Sequence, residues 1–227
     1  MLWLHSGDKK GENMYTYTKI ETPFVRDIEG TKKLIEGEYR NDAVKFLSDN
    51  LWFFSEKVDG TNTGIYWDGH KVKYQGRTER AQIPAHLTNR LIEIFGTNEA
   101  EEMFEQLFGE KEVVLFGEGY GAKIQKGGGN YIPDGCDFIL FDVYMVGSDT
   151  WLKYQDIQDI AKAFGIKTVP LVMIGTINDA IEFIKTRHRS LINPNHEMEG
   201  VVGKPIIDLY DRQHNRIITK IKVCDFI

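Results

Sequence analysis

The stretch TGIYWDGHKVKYQ, residues 63–75, limits the fold more than any other part of the chain. The short apolar run GIYW precedes Asp68-Gly69, and apolar and polar residues alternate after it in HKVKYQ. That dipeptide accepts the positive φ angles of a type I′ turn, so the spacing predicts a β-hairpin with arms 63–67 and 70–75. Similar short runs predict further strands near 15–20, 51–58, 112–118, 137–145, 170–174, 199–204 and 216–224. Helical spacing appears at Leu87, Leu91, Ile94 and Phe95 after Pro84, and again at Tyr154, Ile157, Ile160, Ala161 and Phe164. A third stripe, Ile177, Ala180, Ile181 and Ile184, follows the cap-like Thr176-x-x-Asp179. These stripes are core faces. Strands outnumber helices, which predicts an α+β fold with largely antiparallel sheets flanked by helices.

At 227 residues and 41% hydrophobic, the chain can bury a sizeable core, and no Pro/Gly/Ser linker or repeat divides it. Residues 1–13 read as a loose tail, too poor in apolar positions for a signal-peptide core or a membrane span. One domain is expected over 14–227, with order beginning near Met14 and KGGGN (126–130) as a mobile loop between strands. Cys136 and Cys224 lie far apart without a pairing pattern, which fits a reducing, cytoplasmic compartment. None of the six histidines shows metal-ligand spacing, so a zinc hydrolase is excluded. A net charge of −6 argues against a general nucleic-acid coat protein but leaves room for a local basic groove. Lys71, Lys73, Arg77 and Arg80 form one basic run, Lys185, Arg187, His188 and Arg189 another, and acidic residues crowd 99–112.

Several predicted strands stop at an ionisable group. LWFFSE leads to Lys57, VVLFG to Glu118, Glu199 opens GVVGKP, and RIITKIKVC carries Lys220 and Lys222. Strand alternation puts Lys220 and Lys222 on one face, roughly 7 Å apart. Taken singly, each is an ordinary strand-end charge. Together they supply an amine nucleophile, two separated carboxylates, two cations and a glycine turn that lets backbone approach a ligand, parts suited to attack on a nucleoside triphosphate.

Lys57-Val58-Asp59-Gly60 resembles the K-x-D-G signature of the covalent nucleotidyltransferases, the superfamily of polynucleotide ligases and mRNA capping enzymes. The likeness continues in order through FGEGYG (116–121), FILFDV (138–143), EGVV (199–202) and Lys220-Ile221-Lys222. Within that superfamily, EKVDGTN, GRT (76–78) and GEGYGAKIQK are most similar to the RNA ligases that include the kinetoplastid RNA-editing ligases and the second RNA ligase of T-even phages. Asp59 departs from that pattern, since several of these ligases carry histidine there. The resemblance implies the ATP-grasp-like nucleotidyltransferase fold of DNA and RNA ligases and capping enzymes.

By the same resemblance, Lys57 attacks the α-phosphorus of ATP and becomes lysyl-AMP. Free lysine titrates near 10.4, so the amine must lose its proton, and positive charge from Lys220, Lys222 and a metal ion is a physical means to that end. Glu118 is expected to hold the ribose hydroxyls, Phe141 to stack on adenine with Phe138 in the core, and Glu56 to sit beside the base. Glu199 is expected to bind Mg²⁺ or Mn²⁺, partly through water. Lys220 and Lys222 would grip the α-phosphate, while Arg77 and Asn62 would touch the phosphates or the incoming 5′-phosphate strand. For Asn62 a turn-forming role explains the residue equally well. Gln125 and Lys126 are second-tier contacts or a loop edge.

AMP would then pass to the 5′-phosphate of an RNA, and a 3′-hydroxyl would attack to seal the strand. The chain stops five residues after Lys222, which leads us to expect a bare catalytic module that needs a partner or a pre-adenylylated end to seal efficiently. The alternatives are a minimal ATP-dependent DNA ligase, a GTP-using capping enzyme, and a non-catalytic nucleotide or nucleic-acid binding module.

Overall fold

The computed structural model describes residues 15–78 and 81–227. The expected tail over 1–13, the start at Met14 and Arg80 lie outside the described residues. Two antiparallel sheets face each other across a cleft. The first runs β10 (Leu171–Gly175), β3 (Trp52–Glu56), β11 (Gly200–Pro205), β12 (Thr219–Lys222). The second runs β5 (Val72–Gly76), β4 (Thr61–Trp67), β6 (Val113–Gly121), β7 (Cys136–Met145), β8 (Thr150–Trp151), with β9 (Lys167–Thr168) pairing parallel to β7. A small ribbon of β1 (Phe24–Arg26) and β2 (Leu34–Tyr39) flanks them.

Each sheet buries its outer face under helices. Leu87, Leu91 and Phe95 of α2 (Ala85–Phe95), Phe104 and Phe108 of α3 (Asn98–Phe108), and Ile157 and Ile160 of α4 (Tyr154–Ala163) pack on Ile65, Leu115, Phe138 and Leu140. Behind the first sheet, α5 (Ile177–Lys185) sets Ile177, Ala180, Ile181 and Ile184 against Trp52, Phe54, Val201 and Ile221, beside Val44 of the short α1 (Asp42–Phe46). The Thr176 and Asp179 side chains close a reciprocal capping box at the start of α5, as that spacing predicts.

The α+β class and the antiparallel pairing match the sequence expectation, and four local differences have physical causes. Residues 15–20 form no strand. Tyr15 N–H donates to Gln75 Oε1 at 3.2 Å and Tyr15 O accepts from Gln75 Nε2, so a side chain takes the place of a ladder partner. The hairpin of β4 and β5 is present, but Trp67 pairs with Val72 around a four-residue loop, and only Gly69 there has positive φ. Asp68 Oδ1 accepts from His70 and Lys71 N–H at 3.0 and 2.8 Å, which holds the wider loop in place of a type I′ turn. KGGGN folds into a 3₁₀ turn at Gly128–Asn130, with Gly128 so close to Gly121 O that a Cβ would lie 2.0 Å from it. The acidic run at 99–112 conceals α3, whose buried stripe of Ala100, Phe104 and Phe108 alternates with glutamates. Among the described residues no helix is long and apolar enough to cross a membrane.

Candidate active site

Strand register brings the predicted residues to one face. In the first sheet Ser55 lies opposite Val202, Phe53 opposite Lys204, Lys220 opposite Val202 and Lys222 opposite Gly200, while Lys57 N–H donates to Gly200 O at 2.9 Å. Trp52, Phe54, Val201 and Ile221 occupy the opposite, core-facing positions. Ser55, Lys57, Val202, Lys204, Lys220 and Lys222 therefore share the cleft face. Gly200 permits this crowding, because a Cβ there would meet Ile221 O at 2.2 Å.

Lys57 is held neither by Glu56 nor by Asp59. Its Nζ lies 2.6 Å from Glu199 Oε2, and Lys222 Nζ lies 3.0 Å from the other oxygen, Oε1. One carboxylate thus joins the expected nucleophile to one of the expected phosphate-binding lysines. Lys220 makes no ion pair among the described residues. Burial, and then the positive charges of Lys57 and Lys222, hold its amine below the usual lysine range.

The second sheet supplies the facing wall. Asn62 of β4 is the register partner of Glu118 of β6. Burial pushes the Glu118 carboxyl up to about 8; Lys57 pulls the other way, and Glu199 and Asp59 add to the rise. Gly60 lets the chain after Lys57 pass close to this wall: a Cβ would stand 2.3 Å from Gly119 O and 2.8 Å from Glu118 Cγ. Arg77 is exposed, within electrostatic reach of Glu118 and Lys220 but off the cavity wall. Gln125 and Lys126 are exposed beside the glycine turn, and Gly127 approaches Asp59.

Between the sheets lies a cavity of about 100 Å³ lined by Ser55, Lys57, Asn62, Glu118, Phe141 and Val202, among others. Phe138 is fully buried in the outer core, whereas Phe141 faces the cavity. Glu56 also lines the cavity, but its carboxylate is engaged elsewhere. It accepts from Ser190 Oγ at 2.5 Å and Leu191 N–H at 2.7 Å, which anchors the 188–198 hairpin to β3. Burial raises the Glu56 carboxyl against the lowering effect of these two bonds.

Sequence reasoning missed a buried polar hub behind the cavity. Asp142 Oδ2 accepts from Tyr17 Oη, Lys204 Nζ and Arg216 Nη1, each at 2.6 Å. Arg216 also pairs with Asp208 at 2.6 Å and lies over the Trp151 ring at 4.7 Å. The hub ties the 15–21 segment, β7, β11 and the loop before β12 together. A register shift between Phe116 and Gly117, opposite Phe141, places Phe141 and Asp142 on the same side of β7. The available signals were Asp142 inside FILFDV and Lys204 just after EGVV.

A cation at Glu199 is compatible with this donor set. No three His, Cys, Asp or Glu side chains among the described residues converge as a metal cage. Mg²⁺ is usually held by one or two carboxylates with water and phosphate oxygens, which a single Glu199 at the edge of the cleft fits.

A sequence model of the RNA ligase family matches residues 50–222. The fold is similar to that of a Naegleria gruberi RNA ligase, solved as an apo mutant, with a TM-score of 0.60 and 23% identity, covering 79% of this chain and 51% of that one. A mutant of the same ligase with ATP and Mn gives 0.60 and 22%, covering 79% and 52%. Its complex with PPi gives 0.60 and 22%, covering 91% and 61%. In the first two of these superpositions the chain spans about half the length of the Naegleria ligase. No curated protein matches the sequence.

Proposed function

The chain belongs to the RNA ligase family, and from that premise we propose that it is an ATP-dependent RNA ligase working through a covalent lysyl-AMP on Lys57. The observation that carries this reading is the placement of Lys57 Nζ at a cavity walled by Phe141, Val202 and Glu118, 2.6 Å from Glu199, which also binds Lys222. In this reading adenine stacks between Phe141 and Val202, and Glu118 and Asn62 face the ribose. The phosphates point toward Lys57, Lys220 and Lys222, with Arg77 at the rim.

The Lys57 nitrogen forms a bond to the α-phosphorus while the bond to the bridging oxygen breaks, and the electron pair leaves with pyrophosphate. Lys220 and Lys222 stabilise the charge on the transferring group. Glu199 would hold Mg²⁺ or Mn²⁺, whose role when bound is to neutralise phosphate charge. The Lys57 ion pair with Glu199 has to open as nucleotide and cation load. AMP then moves to a 5′-phosphate, and a 3′-hydroxyl attacks the new pyrophosphate bridge, releasing AMP and joining the RNA ends.

The test is incubation with α-labelled ATP and Mg²⁺. The expected result is covalent label on the wild-type chain and none on Lys57→Ala. Label retained by that variant, or absent from the wild type, overturns the proposal.

A further inference from the structure

A second, wider groove lies beside the nucleotide cavity. It measures about 1090 Å³ and runs between residues 16–21, helix α1 and the 210–218 loop. One end lies against the active site. Glu21 lines the groove, and its carbonyl accepts from Lys220 N–H at 3.0 Å and Thr219 Oγ1 at 2.9 Å, so the groove begins at the strand that presents Lys220 to the cleft. Tyr17 forms part of the wall of both cavities.

The lining mixes aromatic, cationic and acidic side chains. Phe46 is 82% exposed on one wall, the highest value among the exposed large apolar residues described. On the facing loop Tyr210 stacks on His214 with ring centres 4.8 Å apart and an interplanar angle of 11°. At the end near the active site, Lys19 and Arg40 both pair with Glu21, at 2.7 and 3.2 Å. Arg212 adds charge further along, and Asp42 opposes it. Asp211 also lines the groove, exposed, and its carboxylate accepts from Gln213 N–H, Asn215 N–H and Asn215 Nδ2 within its own loop. Cations beside solvent-facing aromatic rings are the combination by which proteins hold single-stranded nucleic acid, through phosphate contacts and base stacking.

We infer that this groove seats a single-stranded stretch of the RNA next to its reacting end, with Phe46 as a stacking platform and Lys19 and Arg212 on phosphates. The inference rests on the ligase reading above and adds a substrate-binding surface to it. Phe46 makes so little buried contact that its removal leaves the core intact, which separates binding from folding.

The probe is a 5′-phosphorylated, 3′-fluorescein single-stranded RNA, titrated by anisotropy against the full chain, with Lys57 labelling from ATP measured in parallel. Phe46→Ala should weaken RNA binding roughly 5- to 150-fold, the range expected for loss of one base stack, while leaving Lys57 labelling and the melting temperature unchanged. Phe46→Trp should restore binding. Lys19→Ala should lower the slope of log affinity against log salt by about one. RNA affinity within about twofold of wild type for both Phe46→Ala and Arg212→Ala, or no RNA binding by the wild type, overturns the groove assignment. Absence of label on Lys57 bears on the ligase reading alone, so the two failures are distinguishable.

Discussion

Replacing Asp142 by alanine tests whether the buried hub is what holds the cleft together. The carboxylate is fully buried, and its Oδ2 is the shared acceptor for Tyr17, Lys204 and Arg216. After truncation Arg216 keeps Asp208 at 2.6 Å, but Lys204 keeps only the Phe141 carbonyl at 3.5 Å, at the limit of a hydrogen bond. Burial already holds the Lys204 amine below its usual range against the pull of Asp142, and once that charge is gone only the more weakly acting Asp208 still favours the cation. Removing one partner of a buried ion pair costs about 3–5 kcal/mol, which for a chain of this size is a fall of roughly 6–20 °C in melting temperature. The assay is urea unfolding followed by tryptophan fluorescence, where the midpoint should fall at unchanged slope. The double variant Asp142→Leu/Lys204→Met also removes the stranded lysine and should recover the part of the loss that Lys204 carries, while Tyr17 Oη and Arg216 Nη1 still lack their shared acceptor. A single variant within about 1 kcal/mol of wild type would refute the hub as a structural tie.

Two further outcomes follow from the cavity wall. Glu118 has its folded-state carboxyl raised from 4.5 to about 8. The folded chain therefore binds the proton more tightly than the unfolded one, and stability is lost as pH rises from about 4.5 to 8. Glu118→Gln should flatten that fall in a series of unfolding midpoints, and an unchanged pH profile would show that burial of this carboxyl has been misjudged. Gly60→Ala places a methyl 2.3 Å from the Gly119 carbonyl, a backbone atom that cannot swing aside. The resulting displacement of Lys57 relative to Glu118 should slow label transfer from ATP by about 100-fold, read as a single-turnover rate, with the RNA affinity of the chain retained.

The parts legible in the sequence were those whose geometry depends on one strand at a time. Alternation alone places Lys220 and Lys222 on one face, and the register confirms it, with Val202 and Gly200 as their partners. Lys57 and Glu118 could be named because each ends an apolar stretch, and Glu199 because it opens one, but nothing local says that Glu199 will meet Lys57 and Lys222 together. That contact spans 142 residues of chain and exists because β3, β11 and β12 are neighbours in one sheet. The same limit explains why the polar hub went unseen. A strict period of two would put Phe141 and Asp142 on opposite faces of β7, and only the register shift against β6 brings both to the cleft side. It also explains Glu56, whose place directly before Lys57 draws attention to the base, while its carboxylate is bound by Ser190 and Leu191 from a hairpin 134 and 135 residues away. That hairpin leads straight into Glu199, so the acid before Lys57 anchors the loop that delivers the acid bound to Lys57. A short sequence motif records the chemistry at such a site, whereas the pairing of distant strands determines which groups can act on one another.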